Sequence, residues 1–266
     1  MDYICLHDKK KIAAFLKKNI FLHIYSIGDL DDFFWPYTIW YGCKADGHIE
    51  AIALLYVGMP LPTLLALSEE PGVKRKLLQA IQHLLPVRFY AHLSPGLGDV
   101  LNERHDLTSH GVHSKMALTD TKRLSEFDCS EVERLGMKDL RAIKELYRAG
   151  YPENWFDLRM LETDKYVGIW QDTRLVSIAG IHVYSPRYKV AALGNITTHP
   201  AYRGKGYGLK VTVRLCQELI DEGMHIGLNV KADNMAALSC YKKIGFHRVA
   251  LYEEFMMQKK GAASIV

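Results

Sequence analysis

The stretch Thr197-Thr198-His199-Pro200-Ala201-Tyr202-Arg203-Gly204-Lys205-Gly206-Tyr207-Gly208-Leu209 decides how the rest of the 266-residue chain is read. It follows an apolar strand pattern over 190–198 and opens a helical one over 209–219. Glycine at every second position lets the backbone curl with its amides turned inward, and no side chain blocks a ligand's approach. The helix that starts there adds unpaired N–H groups and the positive end of a dipole, an anion site suited to a pyrophosphate. Arg203 and Lys205 add positive charge at its rim. The spacing of Gly204, Gly206 and Gly208 satisfies neither the Rossmann nor the P-loop pattern. A plain glycine-rich turn is the competing reading.

Working outward, a helix is expected over 137–149, where Leu140, Ile143, Leu146 and Tyr147 share a face. Strands follow over 166–170 and 175–184, around Gln171-Asp172-Thr173. The 209–219 helix shows Leu209, Val213, Cys216 and Ile220 on one face and is closed by Gly223. A strand over 226–230, a helix over 234–244 ended by Gly245, and a strand over 249–257 complete the half. The first half repeats this order. Strands at 40–42 and 49–57 flank Lys44-Ala45-Asp46-Gly47, and 64–67 is a short strand. A helix over 73–85 carries the stripe Val73, Leu77, Leu78, Ile81, Leu84 and Leu85, and strands over 87–93 and 112–118 follow. The two orders match at an offset of about 126 to 134 residues, as in a duplication of one α/β unit. Two unrelated α/β halves are the alternative. The polar run Thr119-Asp120-Thr121-Lys122-Arg123 marks the boundary, giving domains 1–122 and 123–266.

Two motifs carry a resemblance. Arg203-Gly204-Lys205-Gly206-Tyr207-Gly208 satisfies Q/R-x-x-G-x-G/A, and Asn234-Met235-Ala236-Ala237-Leu238-Ser239-Cys240-Tyr241-Lys242-Lys243-Ile244-Gly245-Phe246 fits N-x-x-A-x-x-x-Y-x-x-x-G-F. In this order, with a helix and a strand between them, they resemble the GCN5-related N-acetyltransferase (GNAT) family over about 135–257. The resemblance implies an α/β (α+β) fold: a mixed, mostly antiparallel sheet flanked by helices, in two tandem copies, split in a V between 190–198 and 226–230. It implies acetyl-CoA as cosubstrate, with the pantetheine arm along Ile196, Thr197 and Thr198. The pyrophosphate would lie on the amides of Arg203, Gly204, Lys205, Gly206, Tyr207, Gly208 and Leu209. Asn234 would bond the pantetheine region, or cap its helix in competition with Asp233. Tyr241 matches the family's general acid, which returns a proton to the departing thiolate; a packed tyrosine on a buried helix face is the alternative.

The general base is unassigned. Many family members place a glutamate on the fourth strand, whereas this chain has Ala191-Ala192-Leu193-Gly194-Asn195-Ile196-Thr197-Thr198. His182, Glu153, Asp157, Glu253 and Glu254 are candidates, beside waters ordered by Asn195 and Thr197. Tyr151, Trp155 and Phe156 would line an acceptor pocket or pack as a lid. In the first half Ser68-Glu69-Glu70-Pro71-Gly72-Val73 replaces the glycine turn, and two carboxylates would repel a pyrophosphate. One acyl-CoA site per chain is therefore expected, the first half being a degenerate copy. Its aromatic run with Trp35, Tyr37 and Trp40 is core or a pocket wall.

Composition bounds the rest. Hydrophobic residues are 48% and charged residues 24%, which excludes disordered and fibrous classes. With 34 Lys+Arg against 30 Asp+Glu, the net charge of +4 gives no footprint for nucleic acid. No apolar run reaches the roughly 18 residues of a membrane span, and 1–15 does not read as a signal peptide. Five scattered cysteines argue against a disulfide framework or a cysteine zinc site and for reduced thiols in the cytoplasm; no metal is expected. The implied reaction is acetyl transfer to a primary amine of a small-molecule or peptide acceptor by direct attack in a ternary complex. A non-catalytic acyl-CoA sensor, a longer acyl-CoA and a homodimer stay open.

Overall fold

The computed structural model describes residues 1–262, and the chain divides into two compact units. One holds Met1–Lys115, Lys231–Asp233 and the chain from Val249 onward; the other holds Met116–Val230 and Asn234–Arg248. No described helix is long and apolar enough to cross a membrane.

The first half runs β1 (Asp2–Cys5), α1 (Lys9–Leu16), α2 (Ile20–Gly28), β2 (Thr38–Ala45), β3 (His48–Tyr56), β4 (Thr63–Ala66), α3 (Pro71–Ile81), β5 (Arg88–Leu93), α4 (Gly98–Leu101) and β6 (His105–Leu118). The second runs β7 (Glu133–Arg134), α5 (Leu140–Gly150), β8 (Val167–Gln171), β9 (Arg174–Ser185), β10 (Val190–Thr198), α6 (Tyr207–Asp221), β11 (His225–Lys231), α7 (Met235–Ile244) and β12 (Phe246–Lys259). The orders agree, with a 3-10 turn at Leu158–Thr163 where the first half has α2. Antiparallel pairs join β1 to β4 and β7 to β10 in succession. Each half has a parallel pair at the same place, β4 with β5 and β10 with β11.

The predicted boundary at 122/123 differs from the division at Lys115/Met116. The polar run at 119–123 is tied to the second unit. The amides of Thr119 and Asp120 donate to the Gly245 carbonyl at 3.3 and 3.2 Å, and Thr119 Oγ1 lies 2.7 Å from His247 Nδ1. The end of β12 joins the first unit because Glu253 to Gln258 pair antiparallel with β5.

In the first unit, Leu77, Leu78 and Ile81 of α3 are buried with Ala53, Leu64 and Phe89 of the strands. The predicted helix over 73–85 ends at Ile81 and tightens into a 3-10 turn, Gln82–Leu84, which turns Leu84 out to 52% exposure. Of the aromatic run, Trp40 is core, while Tyr37 is exposed. In the second unit, Ile143, Leu146 and Tyr147 of α5 and Val211, Leu215, Cys216 and Leu219 of α6 pack with Ile169, Ile178, Leu193 and Ile226.

A buried carboxylate joins three strands of the first unit. The phenols of Tyr90 and Tyr252 donate to Glu254 at 2.6 and 2.7 Å. Nε2 of His92 and of His113 each lie 3.5 Å from a Glu254 oxygen. Lys115 sits 4.7 Å from the Tyr25 ring, its ammonium pushed down to about 7 chiefly by burial, against the pull of Glu254. Burial alone would raise the Glu254 carboxyl; the imidazoles, then the phenols, outweigh it and hold it below the ordinary range. A lowered carboxyl stabilises fully above its unfolded pKa, and that stability is lost as pH falls through the folded value, below about pH 4.3. Glu254→Gln is expected to cost about 3 kcal/mol at neutral pH, read as a lower urea midpoint at unchanged slope. An unmoved midpoint would refute the role.

Candidate functional site

The site is built where β10 leaves β11. Parallel pairing runs from Val190 opposite His225 to Leu193 opposite Leu228 and stops there, although β10 continues to Thr198 and β11 to Lys231. Asn195 has φ +55°, and the register against β9 shifts between Gly194 and Thr197, the mark of a bulge that bends a strand. The bulge is pinned on both sides. The Tyr147 phenol donates to the Asn195 carbonyl at 2.9 Å, and Asn195 Nδ2 donates to the Tyr166 phenol oxygen at 3.0 Å. Tyr166 donates in turn to the Ile181 carbonyl at 3.1 Å. Burial raises both phenols above their ordinary range, which keeps them protonated. Asn195 Oδ1 is enclosed and has no partner among the described residues.

Ile196 and Thr198 are half-buried and Thr197 is buried. Thr198 Oγ1 lies 2.9 Å from Ser177 Oγ. The chain then turns through Pro200–Tyr202 into the glycine stretch. Gly206 takes φ +83°, as Gly204 takes +79°, and a Cβ at either would meet open space. The requirement for glycine here is conformational: an L side chain in that backbone region is strained. Gly206 is the N-cap of α6, so no cap side chain satisfies the first turn. The first helical bond is Lys210 N to Gly206 O at 3.1 Å. The amides of Tyr207, Gly208 and Leu209 therefore have no acceptor within the helix, and its dipole favours an anion beside them. Lys205 is exposed, with Nζ 5.1 Å from the Tyr202 ring.

Arg203 differs from the expectation. Its amide donates to the Pro200 carbonyl at 3.3 Å. Its guanidinium donates to the Thr198 carbonyl through Nε and to the Gly150 carbonyl through Nη2, both at 3.2 Å. The Arg203 amide is thus already engaged, and the amides left for a ligand in this turn are those after it.

Asn234 is the N-cap of α7, its Oδ1 accepting from Ala237 N at 3.1 Å, so it and not Asp233 makes the cap. The cap uses Oδ1 alone. Tyr241 is 9% exposed, with its ring 5.9 Å from that of Phe246. Its hydroxyl has no protein hydrogen bond among the described residues, and it is not among the fully enclosed polar atoms. Burial lifts the phenol above its ordinary range. The Cys240 thiol is pushed up to about 11, and Cys216 is raised too, both by burial.

The base candidates separate. Glu253 accepts from the Gly96 amide at 3.1 Å, and Glu254 is the hub of the first unit. Asp157 caps a 3-10 turn and pairs with Arg159, which lowers its carboxyl below the usual range. Glu153 is exposed. The His182 ring lies against Gly194, where a Cβ would sit 2.4 Å away. Phe156 packs on the rings of Tyr147 and Tyr166, while Tyr151 and Trp155 are exposed. The segment thus holds one half-buried aromatic packed against the core and two surface ones.

The first unit is closed at the matching place. All four residues of β4 pair with β5, from Thr63 opposite Tyr90 to Ala66 opposite Leu93. Ser94 N to Ala66 O at 3.3 Å and Ser68 N to Ser94 Oγ at 2.9 Å continue the closure. α3 begins at Pro71 after Glu70, without a glycine turn.

A parallel strand pair that parts at a bulge thus sets an unpaired stretch of β10 immediately before an uncapped helix start. Residues 135–246 match the model described as the acetyltransferase (GNAT) family, and this part of the chain is a GNAT domain. Over 96 residues the chain is 38% identical to N-alpha-acetyltransferase RimI of Mycobacterium tuberculosis. That stretch is 34% of this chain and 56% of RimI, just over half its length. Two solved structures are similar over almost the whole chain. An X-ray structure of a Drosophila protein has TM-score 0.72 at 13% identity and covers 98% of this chain and 99% of its own. A tandem GNAT protein from the clavulanic acid biosynthesis pathway has TM-score 0.54 at 14% identity, covering 99% of both chains. At these identities the likeness is one of fold.

Proposed function

We propose that the second unit binds one acetyl-CoA and passes its acetyl group to a primary amine of a small-molecule or peptide acceptor. The reading is carried by the parting of β10 from β11 beyond Leu193 and Leu228, immediately before the uncapped turn at Gly206. The residues fit such a cosubstrate. On the edge that β11 has left, Ile196, Thr197 and Thr198 offer backbone groups to an amide-bearing arm. The amides of Gly204, Lys205, Gly206, Tyr207, Gly208 and Leu209 would hold a pyrophosphate, with Lys205 beside them. Asn234 can donate through Nδ2 while Oδ1 keeps its cap.

Acetyl-CoA supplies a thioester. Tyr241 keeps its proton until a thiolate departs within reach, then hands it over. The burial that raises the phenol also raises the proton affinity of a thiolate leaving into the same apolar surroundings. Neither Cys216 nor Cys240 is a ready nucleophile, since both thiols are held protonated, which supports direct attack by the amine. An alkylamine is mostly protonated near pH 7. With no carboxylate on β10, Thr197 Oγ1 would order the water that takes its proton and passes it to solvent. The closed β4–β5 pair supports one cofactor per chain, the first unit being a copy without the slot.

Release of the CoA thiol against a panel of primary amines, including peptide N-termini, lysine and polyamines, tests this reading. Amine-dependent release is expected with at least one acceptor class. Binding of acetyl-CoA with no release above the amine-free rate, for any acceptor, would favour a sensor. The missing carboxylate on β10 is the observation behind that second reading.

A further inference from the structure

Three contacts fasten the end of α5 to the end of β10. The Tyr147 phenol bonds the Asn195 carbonyl. Gly150 packs so closely that a Cβ there would lie 2.9 Å from Thr197 Oγ1 and 3.3 Å from the Thr198 carbonyl oxygen. Arg203 bonds the carbonyls of Thr198 and Gly150 at once. The segment that follows hangs from this point: Tyr151 N donates to Tyr147 O at 2.8 Å, and Asn154 Nδ2 to Tyr151 O at 2.6 Å. That segment carries the exposed Tyr151 and Trp155.

We propose that Arg203 is a positioning residue that links the cofactor turn to the segment 151–157, so that filling the turn orders the segment. The inference rests on the proposed cosubstrate site. Its physical basis is the planar, forked guanidinium, which bonds two carbonyls on different elements in one fixed geometry. An anion gripped by the amides after Arg203 fixes the backbone on one side of that residue. The fork passes the constraint to Gly150, and a loop joined at that carbonyl loses freedom with it. Lysine's compact ammonium has three donors but lacks the planar fork that holds two separated carbonyls in one fixed geometry.

Hydrogen exchange with and without saturating acetyl-CoA tests this on the full chain, as wild type, Arg203→Gln and Arg203→Lys. In wild type, acetyl-CoA should slow exchange at 204–210 and also at 151–157. In both variants protection at 204–210 should persist while that at 151–157 is lost. Gly150→Ala, which pushes α5 off Thr197, should give the same loss. Exchange over 211–219 without ligand reports that the variants are folded. Protection at 204–210 alone in wild type, or equal protection of 151–157 in the variants, overturns the inference and leaves the cofactor site standing. No protection at 204–210 in wild type removes the cofactor site and the inference together.

Discussion

Replacing Gly206 by glutamate should abolish measurable acetyl-CoA binding while leaving the chain folded. Two costs add. The backbone at Gly206 has φ +83°, and an L residue there is strained by roughly 1–2 kcal/mol, which the empty turn sheds by relaxing and binding must restore. A carboxylate at the mouth of the turn would also face a pyrophosphate. At about 4 Å and an effective dielectric near 20 that repulsion is on the order of 4 kcal/mol. At about 1.4 kcal/mol per tenfold, the sum exceeds a hundredfold in affinity. Because a Cβ here meets open space, the substitution does not clash with the fold. Gly206→Ala carries only the backbone strain and should weaken binding by roughly tenfold. Calorimetric titration reads both. Undiminished binding by the glutamate variant would show that the turn holds no phosphate.

Tyr241→Phe should separate chemistry from binding. A positioned general acid contributes roughly 10²–10⁴-fold, so turnover should fall by about a hundredfold or more. Acetyl-CoA affinity and melting temperature should stay near wild type, because the Tyr241 hydroxyl has no hydrogen-bond partner among the described residues to abandon. Steady-state kinetics with a competent amine measures the first effect and calorimetry the second. Turnover within twofold of wild type would make Tyr241 a packing residue and leave the thiolate to be protonated by water.

The second half could be read almost element for element because its boundaries are chemically marked. Gly206 opens α6 and Gly223 follows it; Asn234 opens α7 and Gly245 closes it. The first 37 residues gave no such reading. α1 has only eight residues with three lysines, and its one signal is Asp8, which accepts from the amides of Lys10 and Lys11. α2 contains a kink at His23 that breaks helical periodicity. Lys74 of α3 is buried and donates to the Ile52 carbonyl, its ammonium pushed down to about 7 by burial, a placement its charge does not announce. The return of β12 to β5 was hidden for another reason: alternation identifies a strand but not its partner, and these lie far apart in the chain. In the site, the glycine turn and α7 were legible from spacing. The bulge at Asn195 was not, although Gly194-Asn195 inside a strand was its trace, since asparagine tolerates positive φ. For Arg203, composition shows a cation at the rim and not the two carbonyls it reaches.

Titration of acetyl-CoA into the wild-type chain tests the central claim most directly. The open β10–β11 pair and the closed β4–β5 pair predict saturable binding at one molecule per chain. No binding, or two molecules per chain, would contradict the account.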